Sequence, residues 1–168
     1  MSNFEFLKQN KQYTLFRDAA VEAEEVCNTA PAMCAIGCRK ALELAVKWVY
    51  SADNTMKMPY RDNLQSLIHE PCFKDALDKN TWQKLPAIIK LGNIAVHTEK
   101  KITKSYAILA LKTLFEFVQW IDYCYGYDYE ERIFDENSIS VKKIFVDTEK
   151  IKQQKSLLEQ KDSIIEAL

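Results

Sequence analysis

Read as a helix, the run Lys90-Leu91-Gly92-Asn93-Ile94-Ala95-Val96-His97 puts Lys90, Asn93 and His97 on one face, because residues three and seven apart return to the same side. A cation, an amide and an imidazole on one stripe are suited to holding a phosphate and moving a proton. Gly92 and Ala95 keep the adjoining surface thin, so that another backbone or a ligand can come close. The same residues have a plainer use, in which Asn93 and His97 satisfy polar groups at a helix crossing. Around this stripe the charge is uneven. Five lysines (Lys84, Lys90, Lys100, Lys101 and Lys104) face one acid, Glu99, between positions 84 and 104, whereas 122–137 holds six acids against Arg132. Lys84, Lys100, Lys101 and Lys104 are candidate nucleic-acid contacts, since each lysine set at a phosphate releases counterions. A solvated helix end followed by a loop has the same composition.

Other constellations are poorer. Cys34 and Cys38 lie one helical turn apart, and His69 and His97 could be imagined beside them as metal ligands, but the spacing is not that of a zinc knuckle and core packing is the favoured use. No metal ligand is assigned. His69, ahead of Glu70 and Pro71, reads as a helix-end residue. Glu99-Lys100-Lys101 matches only the tail of an acid-x-Lys nuclease signature. A phosphate-binding Gly-x4-Gly-Lys loop, a dinucleotide fingerprint and a Gly-x-Ser-x-Gly elbow are all missing from the sequence, so nucleotide hydrolysis and serine hydrolase chemistry are unsupported.

Helices must position these residues. The 168-residue chain has 3 Gly and 4 Pro, with 48% hydrophobic and 28% charged residues, a composition that excludes collagen-like, disordered and turn-rich all-β chains. The formal net charge of -1 leaves no whole-molecule field to draw nucleic acid or membrane. The five cysteines (Cys27, Cys34, Cys38, Cys72 and Cys124) mostly sit in apolar stretches, as reduced thiols do, and the N-terminus lacks a secretory pattern, so a cytoplasmic location is expected. The segment 105–125 comes closest to a membrane span, but Lys112, Glu116, Gln119 and Asp122 interrupt it.

Periodicity predicts helices over 14–28, with Leu15, Ala19 and Val26 inward, and 32–50, with Met33, Ile36, Leu44 and Trp48 inward. The second opens at Pro31, and its apolar face is broad enough for a central place in a bundle, with Gly37 marking a close crossing. Short helices follow around 63–69, stopped by Pro71, and 73–77. Asn80 and Gln83 have the form of a capping box opening a helix through Val96, bent at Pro86. Thr103 caps the next, which buries Tyr106, Leu109, Ala110, Leu114, Phe117, Val118 and Ile121 and ends at Gly126. The expected fold is all-α: four longer helices plus short ones over 1–126, an acidic extended connection over 127–146 in which 139–146 forms an edge strand or strap, and a polar exit helix over 147–168. In that last helix Ile151, Leu158 and Ile165 recur every seven residues, a weak coiled-coil signal broken by Gln154 and Lys161. A helix still in mid-course at Leu168 suggests a longer parent with further domains downstream.

Two stretches carry a family resemblance. Ser2-Asn3-Phe4-Glu5-Phe6-Leu7-Lys8 and Leu91-Gly92-Asn93-Ile94-Ala95-Val96-His97 resemble the opening peptide and the Gly-Asn-x-Ala-Val-His signature of the N-terminal helical domain of type I restriction enzyme R subunits. The Tyr125-Gly126-Tyr127-Asp128-Tyr129 run and the Gln-rich helix from Asp147 fall where that family leaves the domain. The resemblance implies a nuclease and an ATP-driven double-stranded DNA motor in downstream segments, with ATP and magnesium belonging there and no cofactor here. The domain is also similar to the HEPN superfamily, whose active members cut RNA with an arginine shortly followed by a histidine, paired across a homodimer. His97 and Asn93 match that pattern, but Lys90 stands at the arginine position and lacks the planar fork an arginine offers a phosphate. The implied function is a non-catalytic, HEPN-like module that docks against other subunits of a restriction-modification complex or guides double-stranded DNA. The alternative is a metal-independent, dimeric ribonuclease with His97 as general acid or base and Lys90 and Asn93 stabilising the developing charge.

Overall fold

Pro31 sits in the first turn of the helix Pro31–Ala52 (α2), where its missing N–H leaves no helical bond unmade. In the computed structural model, which describes residues 1–97, 101–139 and 148–167, α2 is the central element. It packs against Thr14–Glu25 (α1), Lys79–His97 (α5) and Lys104–Tyr125 (α6), with the short helices Leu64–His69 (α3) and Pro71–Ala76 (α4) between α2 and α5. Among the described residues there is no strand, so the all-α expectation of four longer helices plus short ones holds.

Contacts along α2 fix the directions of its neighbours. A Cβ on Gly37 would lie 2.9 Å from the Cβ of Ala23, while Phe16 and Trp48 rings meet at 5.8 Å, so α1 runs antiparallel to α2. The close crossing expected at Gly37 is therefore real, and α1 is its partner. Cys34 Sγ faces the Ala107 carbonyl at 3.9 Å and Trp48 meets Tyr125 at 5.7 Å, so α6 runs parallel to α2. The core threads between them through Leu42, Val46, Val49, Leu85, Ile88, Leu111, Leu114 and Phe117, all without solvent exposure.

Several local expectations hold and several are corrected. Thr103 Oγ1 accepts the Tyr106 N–H at 3.3 Å and Gly126 closes α6, as expected. Asp78, rather than Asn80, caps α5, its Oδ2 accepting from Thr81 N at 3.1 Å and Thr81 Oγ1 at 3.2 Å, so the helix starts earlier than the capping box implied. Pro71 opens α4 at its first position instead of only ending α3. Leu15, Tyr106 and Leu109 are not inward: they are 74%, 54% and 46% exposed, and Phe16 and Ala20 on α1 and Ala107 and Leu111 on α6 take the buried face. The remaining predicted positions there, Ala19 on α1 and Ala110, Leu114, Phe117, Val118 and Ile121 on α6, are buried as expected, so the error lies at the edges of the apolar stripes.

The acidic segment after α6 lies against the bundle. Phe134 packs edge-on against Phe115 at 5.6 Å, the Arg132 N–H donates to Gln119 Oε1 at 2.8 Å, and Asn3 exchanges two hydrogen bonds with the Asp135 backbone at 3.0 and 2.8 Å. Of the expected edge strand or strap only Ile139, buried at 4% exposure, falls within the described residues. The polar helix Thr148–Ala167 (α7) turns back to touch α5.

Candidate functional site at the seam between helices two and five

On α5 the stripe of Lys90, Asn93 and His97 spans about 10 Å at 1.5 Å rise per residue. Lys90 and His97 are exposed and Asn93 is half-buried beside the seam with α2. The Asn93 Oδ1 is shielded from solvent and accepts no hydrogen bond. Gly92, next to it, is small because of what crosses it: a Cβ there would meet Arg39 Cβ at 2.8 Å, Cδ at 2.9 Å and Cγ at 3.3 Å. The thin surface expected at Gly92 is thus filled by the aliphatic stem of an arginine from α2.

Arg39 and Glu43 stand one turn apart on the same face of α2. The Glu43 side chain is only 13% exposed, and Lys47 Nζ reaches its Oε1 at 3.1 Å. Lys161 of α7 reaches the same oxygen. Burial pushes the Glu43 carboxyl up, but the hydrogen bonds and charges of Lys161 and then Lys47 outweigh it and hold the group below the usual carboxylate range. Leu158, one turn before Lys161, packs at the edge of the core. The seam therefore gathers charged and amide groups from three helices, α2, α5 and α7. Arg39, Glu43 and Lys161 were not read from the sequence as site residues, although an arginine and a glutamate four residues apart on a helix with a broad apolar face are a signal that something polar must meet them.

Lys84 stands apart from Lys101 and Lys104. Lys84 ion-pairs with Glu116 of α6 at 3.0 Å, about 20 Å along α5 from His97. Lys101 and Lys104 are exposed at the turn into α6, and Lys100 lies outside the described residues. Cys34 and Cys38 are both fully buried, and the Cys27 thiol is pushed up by its contact with Cys34 and then by burial, so these cysteines act as neutral core residues. Among the described residues no group of three or more His, Cys, Asp or Glu is placed to hold a metal. His69 Nδ1 lies 2.7 Å from the Gln65 carbonyl at the end of α3, and its ring meets Trp82 edge-on at 5.6 Å, the helix-end role expected of it. No helix among the described residues is long and apolar enough to cross a membrane.

Residues 21–161 match the domain of unknown function DUF4145. The chain belongs to this family. The DUF4145 match takes in both sides of the seam, Arg39 and Glu43 as well as Asn93 and His97, and extends to Lys161, while the opening peptide around Asn3 precedes it. No curated protein and no solved structure matches the chain.

Proposed function

We propose that this DUF4145 chain is a non-catalytic docking module of the kind found at the start of type I restriction R subunits, holding downstream parts of a DNA-processing protein against partner subunits. The observation that carries this reading is the use to which the seam is put. Gly92 makes room for the Arg39 stem and Glu43 receives Lys161, so the seam packs α2 against α5 and ties α7 to the bundle. Guidance of double-stranded DNA is less well supported, because Lys84 is engaged by Glu116 and stands far from Lys101 and Lys104. On this reading the module needs no cofactor of its own, ATP and magnesium serve the parent's other domains, and the cysteines remain reduced in the cytoplasm.

A second reading, a HEPN-type ribonuclease acting as a homodimer, is favoured by one observation: the stem of Arg39 lies across Gly92, the residue before Asn93, and so sets an arginine against a motif whose own helix offers only Lys90. One experiment separates the readings. The purified chain is titrated into labelled duplex DNA and single-stranded RNA at two salt concentrations, and RNA integrity is followed for the native protein, His97→Ala and Arg39→Ala. Docking predicts no salt-sensitive affinity and identical RNA decay in all three. RNA cleavage lost in both variants would overturn it in favour of the ribonuclease, and salt-sensitive duplex binding that weakens in Lys101→Ala and Lys104→Ala would replace it with DNA guidance.

A further inference from the structure

Helix α7 is built unlike the four helices of the bundle. Of its described side chains, 152–161, none is buried; Gln154, Lys155 and Leu158 are half-covered, and the others, Leu157 at 65% among them, face solvent. By contrast α2, α5 and α6 each place a full stripe of apolar residues in the core. With Leu158 alone among 152–161 set at the edge of the core, this stretch draws little from the hydrophobic effect. Its ion pair to the bundle is made with a shielded carboxylate. Glu43 is tucked into the bundle, already braced by Lys47, and Lys161 completes its coordination from α7. Glu43 lies one turn from Arg39, so α7 lies at the same seam as the Gly92–Asn93 crossing.

We propose that α7 is a releasable arm, latched onto the α2–α5 seam by Lys161 on Glu43, and that its release is the conformational event through which the module passes from a closed to an open form. The proposal rests on the docking reading and names how that docking is regulated. Local opening free energies in proteins extend down to nearly zero in segments with few buried contacts, and the described stretch 152–161 of α7 is such a segment. Because the latch pairs one partly exposed cation with one shielded anion, ionic strength weakens it, whereas the apolar core of α1, α2, α5 and α6 is insensitive to salt over the same range. Loss of Lys161 leaves Glu43 paired with Lys47, so the bundle keeps a neutralised carboxylate and stays folded when α7 lifts away.

The test is amide hydrogen exchange of the full chain, read over 152–161 against the α2 and α6 amides as internal standard. For Lys161→Glu the exchange of α7 is expected to rise about tenfold with α2 and α6 unchanged, and native protein moved from about 0.05 to about 0.5 M salt should show the same trend. In the charge-swapped pair Glu43→Lys with Lys161→Glu, protection of α7 should return. Unchanged exchange in Lys161→Glu, or a swap that fails to restore protection while the bundle remains folded, overturns the latch. Should Glu43→Lys unfold the bundle, Lys161→Glu and the salt series decide alone. RNA cleavage by the chain would refute the docking reading without touching these exchange rates, so the two failures are distinguishable.

Discussion

At Gly92 a single hydrogen atom decides whether two helices meet. The Arg39 stem occupies the place a side chain would take, with three of its carbons within 3.3 Å of the missing Cβ, and two of these closer than real Cβ contacts come. Arg39 is held along its length by α2 and α5, so it cannot swing away without disturbing the crossing. Gly92→Ala is therefore expected to destabilise the chain by about 1–3 kcal/mol, even though alanine is the better helix former, because overpacking outweighs propensity here. Urea denaturation checks this, and an increase in stability would show that the seam is looser than its geometry implies. Gly37 makes a second such contact, with Ala23, where backbone as well as side chain stands in the way, so Gly37→Ala should cost a similar amount. Leu15→Ala is the control. Its side chain is 74% exposed despite its apolar character, and the change should stay within about 0.5 kcal/mol.

Among the elements, the opening peptide acts as a knot. Asn3 gives its backbone N–H and its Nδ2 to Glu24 Oε2 at 3.2 and 2.9 Å, and also pairs with the Asp135 backbone, so one amide joins the N-terminal turn, the end of α1 and the acidic segment after α6. Glu24 is 3% exposed, and Asn3→Ala removes the side-chain amide that donates to its carboxylate. A loss of about 1–3 kcal/mol in thermal or urea unfolding is expected, with faster exchange of the amides from Arg132 to Ile139; a silent substitution would show that water replaces Asn3 there. This knot also marks how far the sequence could be read. Helix positions were legible because apolar periodicity and caps such as Thr103 are local signals, and the glycine crossings were legible because a helical glycine calls for a close neighbour. The partner at each crossing was not. Nothing local to Gly92 names Arg39, some fifty residues away on another helix, and nothing in the polar composition of α7 names Glu43. Leu15, Tyr106 and Leu109 misled for a related reason: each lies beside a buried apolar residue, and only the neighbouring helices decide where the edge of the buried stripe falls. The candidate site was likewise visible only in part, its α5 residues from spacing and its α2 and α7 residues only from packing.

For the molecule as a whole, three tyrosines bind separate elements together, and their titration makes the fold sensitive to alkali. Tyr13, at the start of α1, donates to Asp122 Oδ1 near the end of α6 at 3.3 Å; Tyr50 of α2 donates to the Leu67 carbonyl of α3 at 2.6 Å; Tyr125 of α6 donates to Asp53 Oδ2 beyond α2 at 2.6 Å. Burial, followed by the Asp122 charge, pushes the Tyr13 phenol from 10.0 up to about 12. Burial is also the leading cause for Tyr50 and Tyr125, which are raised further, Tyr125 next by its bond to Asp53. A phenol whose folded pKa exceeds its unfolded value binds more protons in the native state across the interval between the two. Stability from these groups is therefore intact below pH about 10, where both states are protonated, and declines as pH rises from there through the folded values, since the unfolded chain ionises first. The urea midpoint should accordingly be flat from pH about 7 to 9 and fall steeply above about 10. Tyr50→Phe removes one such group: its midpoint at pH 8 should be lower by the equivalent of about 1 kcal/mol for the lost bond to Leu67, and its decline above pH 10 should be shallower than that of the native chain. The crossing pattern is the discriminating result, because a general electrostatic expansion at high pH would lower both proteins in parallel, whereas linkage through a buried phenol brings the two curves together as the solution becomes more alkaline.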